Sequence, residues 1–94
     1  MFEFKHGDRG EIIPVGRLDA SRVDEARTFL ESVTTSKVVD LTGLDYISSV
    51  GIGLLVSTQK RLAEAGEKLK LVNANESVRN VFHFAGLDSI FEID

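Results

Sequence analysis

Lys37-Val38-Val39-Asp40-Leu41, then Thr42-Gly43-Leu44-Asp45-Tyr46-Ile47, then Ser48-Ser49-Val50-Gly51-Ile52-Gly53 is the stretch whose reading decides the fold. The first five residues read as a short apolar strand and the next six as a loop. The last six read as the entrance to a helix, because Ile52, Leu55, Val56, Gln59, Leu62 and Ala63 recur at helical spacing as far as Gly66, a C′ glycine. After it, Lys68-Leu69-Lys70-Leu71-Val72 alternates as a second strand. Two strands separated by a helix of this length imply a right-handed parallel crossover.

Working outward, Asn73-Ala74-Asn75 turns into a third helix with Val78, Val81, Phe82 and Ala85 on its apolar face. Gly86 ends that helix, and Ile90-Phe91-Glu92-Ile93 closes the chain as a strand. Upstream, Phe2-Glu3-Phe4 and Glu11-Ile12-Ile13-Pro14-Val15 flank the turn formers Gly7-Asp8-Arg9-Gly10, which predicts a β-hairpin. Pro14 must then sit where no ladder N–H is needed. Val23, Ala26, Leu30 and Val33, with Phe29 widening the face, predict helix one to about Glu31. Ser21-Arg22-Val23-Asp24 has the form of a capping box, with Asp19 as the alternative cap. The expected architecture is one α/β domain over 1–94, in the order ββαβαβαβ. Its sheet is mixed and mostly parallel, with an antiparallel N-terminal hairpin and about three helices.

Ninety-four residues without cysteine must fold by packing alone, burying roughly 60 to 65% of the unfolded surface. The missing cysteines remove disulfides and thiolate chemistry and fit a reducing compartment. Apolar runs of only a few residues, such as Leu54-Leu55-Val56, exclude a membrane-spanning segment. Met1-Phe2-Glu3-Phe4-Lys5 lacks the layout of a signal peptide. Eleven Lys plus Arg against fifteen Asp plus Glu, a net charge of −4 with no basic cluster, argues against binding a nucleic-acid backbone.

Catalytic candidates are few. His6 and His83 stand beside apolar neighbours and read as structural. Gly66-Glu67-Lys68 lacks the upstream glycine and the hydroxyl of a phosphate-binding loop, and Gly51-Ile52-Gly53 lacks the third glycine of a dinucleotide fingerprint and reads as close packing at a helix start. Asp19, Asp40 and Asp45 fall where they would gather at one edge of the sheet, a place for magnesium. Caps and turns account for aspartates equally well, so no metal or other cofactor is expected. Ser48-Ser49 puts two hydroxyls at a helix entrance. One suffices as an N-cap, and a hydroxyl there is also a place where free N–H groups and the helix dipole would stabilise a phosphate.

Three segments together resemble the STAS domain family: Gly16-Arg17-Leu18-Asp19 before a helix, Val39-Asp40-Leu41 through Tyr46-Ile47-Ser48-Ser49-Val50-Gly51-Ile52, and Ala85-Gly86-Leu87-Asp88 with Ile90-Phe91. The resemblance implies a cytoplasmic bacterial anti-sigma factor antagonist that is no enzyme. Unphosphorylated, it would bind an anti-sigma factor that is also a serine kinase; phosphorylation would end binding, and a serine phosphatase would restore it. It also implies Ser49 as the acceptor, with Ser48 as the alternative acceptor in the place of the family's usual aspartate. Asp19, Asp45, Ser48, Ser49, Gly51 and Ile52 would form the partner surface, with neither nucleic acid nor membrane as a partner. The other reading is a non-sigma STAS adaptor, such as an accessory subunit of a lipid transport ATPase or a signalling scaffold, without a phosphoswitch. An aspartate-phosphorylated receiver would need an acidic pair after its first strand, and Phe4-Lys5-His6 has none. Because the family commonly continues into a further helix, Phe91 and Ile93 are expected to be uncovered, favouring a weak homodimer or a docked partner.

Overall fold

The computed structural model describes residues 2–94; Met1, the first residue of the expected 1–94 domain, lies outside the described residues. In chain order the elements are β1 (Phe2–His6), β2 (Ile12–Leu18), a 3₁₀ turn (Ala20–Arg22), α1 (Val23–Glu31), β3 (Lys37–Asp40), β4 (Leu44–Ile47), α2 (Ser49–Glu64), β5 (Leu69–Val72), α3 (Glu76–Phe84), a 3₁₀ turn (Leu87–Ser89) and β6 (Glu92–Ile93). β1 and β2 form the antiparallel hairpin, with Phe4 opposite Pro14. Beyond β2 the sheet continues in parallel through β3, β5 and β6. The mixed, mostly parallel α/β sheet with three helices is therefore present.

One segment departs from the sequence reading. Leu44–Ile47, expected as a loop, is a fourth strand parallel to β2, with Leu18 opposite Ile47. The order thus gains a strand, ββαββαβαβ. The reason lies in β2, which has two successive neighbours on the same side. At Ile12 it pairs with β3, and from Gly16 to Leu18 it pairs with β4. Pro14 occupies the interval between them, where its missing N–H breaks no ladder on that side. Gly16 carries a bulge with φ of 102° and donates its N–H to the Gly43 carbonyl at 2.9 Å. Burial along β4 runs buried, exposed, exposed, buried, which no simple alternation reveals.

Val39, Leu69 and Leu71 are buried on alternate positions, and their face of the sheet packs into one core with Ala26 and Leu30 of α1, Leu55 and Leu62 of α2, and Val78 and Phe82 of α3. Phe29 widens the α1 face as expected, stacking on Phe4 with centroids 4.1 Å apart. The buried stripes of α2 and α3 are narrower than the periodicity suggests. Ala63, Val81 and Ala85 are exposed, and α2 instead buries Gly51 and Thr58, whose hydroxyl donates to the Leu54 carbonyl at 2.8 Å. Gln59 is a tie: its Oε1 accepts the Leu69 N–H at 2.8 Å and its Nε2 donates to the Ile90 carbonyl at 3.2 Å.

The capping box is not formed. Asp19 accepts the N–H and the hydroxyl of Ser21, at 3.0 and 2.6 Å, and caps the 3₁₀ turn Ala20–Arg22, so that Ser21 lies inside that turn and Arg22, not Ser21, stands at the N-cap of α1. At the end of α2, Gly66 (φ 77°) donates to Ala63 and Glu67 donates to Leu62, the paired bonds of a Schellman motif. Phe91, expected to be uncovered, is buried at 4% exposure and meets Phe82 edge to face at 6.3 Å; Ile93 is half-buried. The final 3₁₀ turn packs against α3 and sets Phe91 on Phe82, while β6 joins the sheet beside β5, which removes the reason for a homodimer through Phe91.

Gly16→Ala places a Cβ on a left-handed backbone at the bulge. It should cost about 1–2 kcal/mol of unfolding free energy, read from urea denaturation; unchanged stability would show that β2 can change neighbours without a glycine.

Candidate functional site

The ends of β2 and β4 lie side by side, and the Ser48 N–H donates to the Leu18 carbonyl at 2.9 Å. That bond puts Asp19, the residue after β2, next to the turn that opens α2. Ser48 has extended backbone (φ −81°, ψ 166°), and its Oγ accepts the Gly51 N–H at 3.1 Å. Its carbonyl receives the first bond of the helix, from the Ile52 N–H at 2.9 Å. Ser48 is therefore the N-cap, and Ser49 is the first helical residue, exposed and with its hydroxyl free of any capping role. The two serines have separate positions and separate chemistry.

Gly51 explains why the helix starts so close to the strands. A Cβ there would come within 2.9 Å of Leu18 Cγ and of Ile47 Cγ1, so the first turn of α2 packs directly on the β2 and β4 ends. A Cβ at Gly53 would meet nothing within 4 Å beyond its own turn of helix among the described residues. The close packing expected of Gly51-Ile52-Gly53 thus belongs to Gly51 alone. Ile52 turns half-buried onto the core.

The three aspartates do not converge. Asp40 accepts bonds from the hydroxyl and N–H of Thr42 and from Asn73, and the Thr42 hydroxyl leads in holding its carboxyl below the usual range. The Asp19 carboxyl is lowered too, chiefly by the Ser21 hydroxyl, with Arg17 and Arg22 contributing. Asp45 lies on β4, facing α3. Among the described residues no three His, Cys, Asp or Glu side chains are grouped to hold a metal ion. Of the histidines, His83 Nδ1 lies 2.8 Å from Asp88 Oδ2, and His6 lies tilted against Phe29.

The strand that leads into Ser48 and Ser49 borders an apolar surface of which the sequence reading named only Asp45. Tyr46 and Val50 flank it, 40% and 46% exposed, and the Arg17 guanidinium sits 4.3 Å above the Tyr46 ring. β4 is held to α3 by Asn75, which caps α3 through the Val78 N–H and donates to the Leu44 carbonyl at 3.2 Å. Facing Tyr46 across this junction is Val81, with Phe84 one turn further. One signal was available: Phe84 stands two residues from Phe82, about 200° around the helix, so the two cannot share a buried face.

The family model of the STAS domain matches residues 9–94. An anti-sigma-B factor antagonist of Staphylococcus epidermidis is 28% identical over 93 residues, covering 95% of this chain and 86% of that protein. An anti-sigma F factor antagonist of Lysinibacillus sphaericus is 29% identical over 77 residues, which is 77% of this chain and 66% of that protein. Among solved structures, the Bacillus cell fate determinant SpoIIAA in its phosphorylated form shares the fold, with a TM-score of 0.71 at 22% identity over 100% of this chain and 91% of that one.

Two pairs of substitutions test this geometry. Ser48→Ala should cost about 1 kcal/mol through the lost cap, while Ser49→Ala stays within about 0.5 kcal/mol; equal costs in thermal melts would refute the division of roles. Gly51→Ala should cost about 1–3 kcal/mol by overpacking, whereas Gly53→Ala should gain about 0.5–1 kcal/mol. Denaturant titration distinguishes them, and a tolerated alanine at 51 would contradict the close approach.

Proposed function

This chain belongs to the STAS domain family, and from that premise we propose that it is an anti-sigma factor antagonist working as a phosphorylation-controlled partner switch. Unmodified, it binds an anti-sigma factor that is also a serine kinase; phosphate on Ser49 ends the binding, and a serine phosphatase restores it. The chain is the substrate of this chemistry and performs none itself. The reading places it in the cytoplasm. Among the described residues, no helix is long and apolar enough to cross a membrane.

The observation that carries this reading is the capping bond of Ser48. Asp and Ser cap helices about equally well, so serine in the place of the family's usual aspartate keeps α2 capped and removes one negative charge beside the acceptor. With Ser48 occupied, the Ser49 hydroxyl is the exposed one at the head of a 16-residue helix. A phosphate there is tolerated, because the N–H groups of the first turn and the helix dipole favour an anion. Asp19, beside the same turn, and Gly51 and Ile52, which set where the helix begins, complete the proposed partner surface.

Repulsion supplies the switch. A 100-fold loss of affinity needs about 2.7 kcal/mol. A phosphate of charge near −2 at roughly 6 Å from one partner carboxylate costs about 1.4 to 5.5 kcal/mol for effective dielectrics between 80 and 20. One acidic group on the partner is enough, and steric exclusion at a close contact acts in the same direction.

Titration calorimetry with purified anti-sigma factor kinases of the host tests the proposal. Phosphorylation mapped to Ser49 should lower affinity at least 100-fold with the melting temperature changed by only a few degrees. Ser49→Ala should bind constitutively and refuse phosphate, and Ser48→Ala should remain a kinase substrate. Phosphate mapped to Ser48, or binding indifferent to phosphate on Ser49, would overturn the assignment and favour an adaptor.

A further inference from the structure

Ser49 follows the C-terminal end of β4, and β3, β4 and β5 run in parallel. At the opposite end of the sheet, where β3 and β5 begin and the β1–β2 hairpin turns, lies a cavity of about 460 Å³, within the size range of small-molecule sites. Four cations line it, Arg9, Lys37, Lys68 and Lys70, drawn from three segments remote in sequence. The parallel register gathers them, setting Lys37 opposite Leu69 and Val38 opposite Lys70. A Cβ at Gly10 would lie 3.7 Å from Lys37 Nζ, so that ammonium sits beside the turn that carries Arg9. Hydrogen bonds fix the strand starts. The Lys68 N–H donates to Ser36 Oγ at 2.9 Å, and the Lys37 N–H donates to the Lys68 carbonyl at 3.2 Å.

Charge decides what the cavity accepts. Lys68 and Lys70 are already matched, by Glu92 at 2.9 and 3.3 Å and, for Lys70, by Asp94 at 3.0 Å. Glu67 is turned to the Ser36 N–H, and Asp40 to Thr42 and Asn73. Arg9 and Lys37 form no ion pair among the described residues. One carboxylate shares the lining with them, Glu11, whose Oε1 accepts the Arg9 N–H at 2.8 Å. Two free cations against one carboxylate leave a single positive charge, the complement of a monoanion, and a dianion would bring surplus negative charge against Glu11. Val38 makes the wall apolar. It is 39% exposed and lies on the sheet face opposite Val39, away from the helices. Lys70, its half-buried register partner, extends that surface with its aliphatic stem.

We propose that this cavity binds a small organic monocarboxylate, with the carboxylate between the Arg9 guanidinium and the Lys37 ammonium and the hydrocarbon body resting on Val38. Arginine suits the task, since its planar fork meets a carboxylate through two parallel N–H bonds. The site goes beyond the partner-switch reading and does not rest on it. It uses no residue at the head of α2, and the length of the sheet separates the two, so the ligand is held whether or not Ser49 carries phosphate.

The test is an amide NMR titration of the full chain at neutral pH with benzoate, acetate and phenyl phosphate as probes. Benzoate should shift the signals of Arg9, Gly10, Lys37 and Val38, leave those of Ser49, Val50 and Gly51 in place, and bind at least fivefold more tightly than acetate, which lacks the apolar body. Arg9→Gln and Lys37→Gln should each weaken benzoate at least fivefold. Val38→Thr, which keeps the shape of the side chain, should narrow the gap between benzoate and acetate. Lys60→Gln, on the exposed side of α2, should change nothing, and the melting temperatures of all four variants should stay within a few degrees. No shift at about 20 mM benzoate, well into the range of weak binding, overturns the site. Shifts that Arg9→Gln and Lys37→Gln leave unchanged overturn it as well. Phenyl phosphate binding more tightly than benzoate overturns the monoanion. A hexaglutamate peptide that displaces benzoate and binds more tightly makes an acidic protein segment the occupant and overturns the proposal.

Discussion

The change of neighbours along β2 is the constraint on which the rest of this structure depends. A strand that pairs with β3 at Ile12 and with β4 from Gly16 onward needs a place where one ladder stops and the next begins. Pro14 and Gly16 supply it from opposite properties: one has no N–H to leave unpaired, and the other accepts a backbone that a side chain disfavours. Among the described residues β4 pairs with β2 alone. Its position, and with it the direction in which α2 leaves the sheet, follows from that bulge.

From there the site is assembled by short-range contacts. The Leu18 carbonyl takes the Ser48 N–H, and the first turn of α2 is pressed onto Leu18 and Ile47 at Gly51. These contacts leave Ser48 one role, capping the helix, and turn Ser49 outward. Two adjacent serines that look interchangeable in sequence are thus separated by a single hydrogen bond. Electrostatics sharpen the distinction. Asp19 is committed to Ser21 and Asp40 to Thr42 and Asn73, each held ionised below its usual range by those donors. Asp45 keeps its carboxylate free on the surface between β4 and α3.

The apolar groups at this end of the molecule divide in the same way. Val78 and Phe82 anchor α3, and Phe91, just before the C-terminal strand, closes over Phe82, so the core is complete without Val81 or Phe84. Helical spacing places Val81 beside Phe82 in sequence yet on the margin of the buried stripe. Only the limited width of the core decides that it stays outside. The exposed strip is therefore what remains when a nine-residue helix carries more apolar side chains than one face can bury.

Most of the architecture was legible in the order of residues. The hairpin, the three helices, the parallel crossovers and the terminating Gly66 follow from periods of 2 and 3.6 and from local backbone chemistry, which act over a few residues and leave their mark in the chain. The pair of serines at a helix start was legible for the same reason. β4 was not: Leu44–Ile47 becomes a strand because a bulge far upstream offers it a ladder, and its burial pattern resembles neither alternation nor a helix. Which serine caps, whether the three aspartates meet, and whether Phe91 and Val81 lie inside or outside were likewise decided by tertiary structure alone. Each depends on a distance between segments remote in sequence, and hydrophobic periodicity records which side chains are able to be buried, while the fold's finite interior determines which of them are.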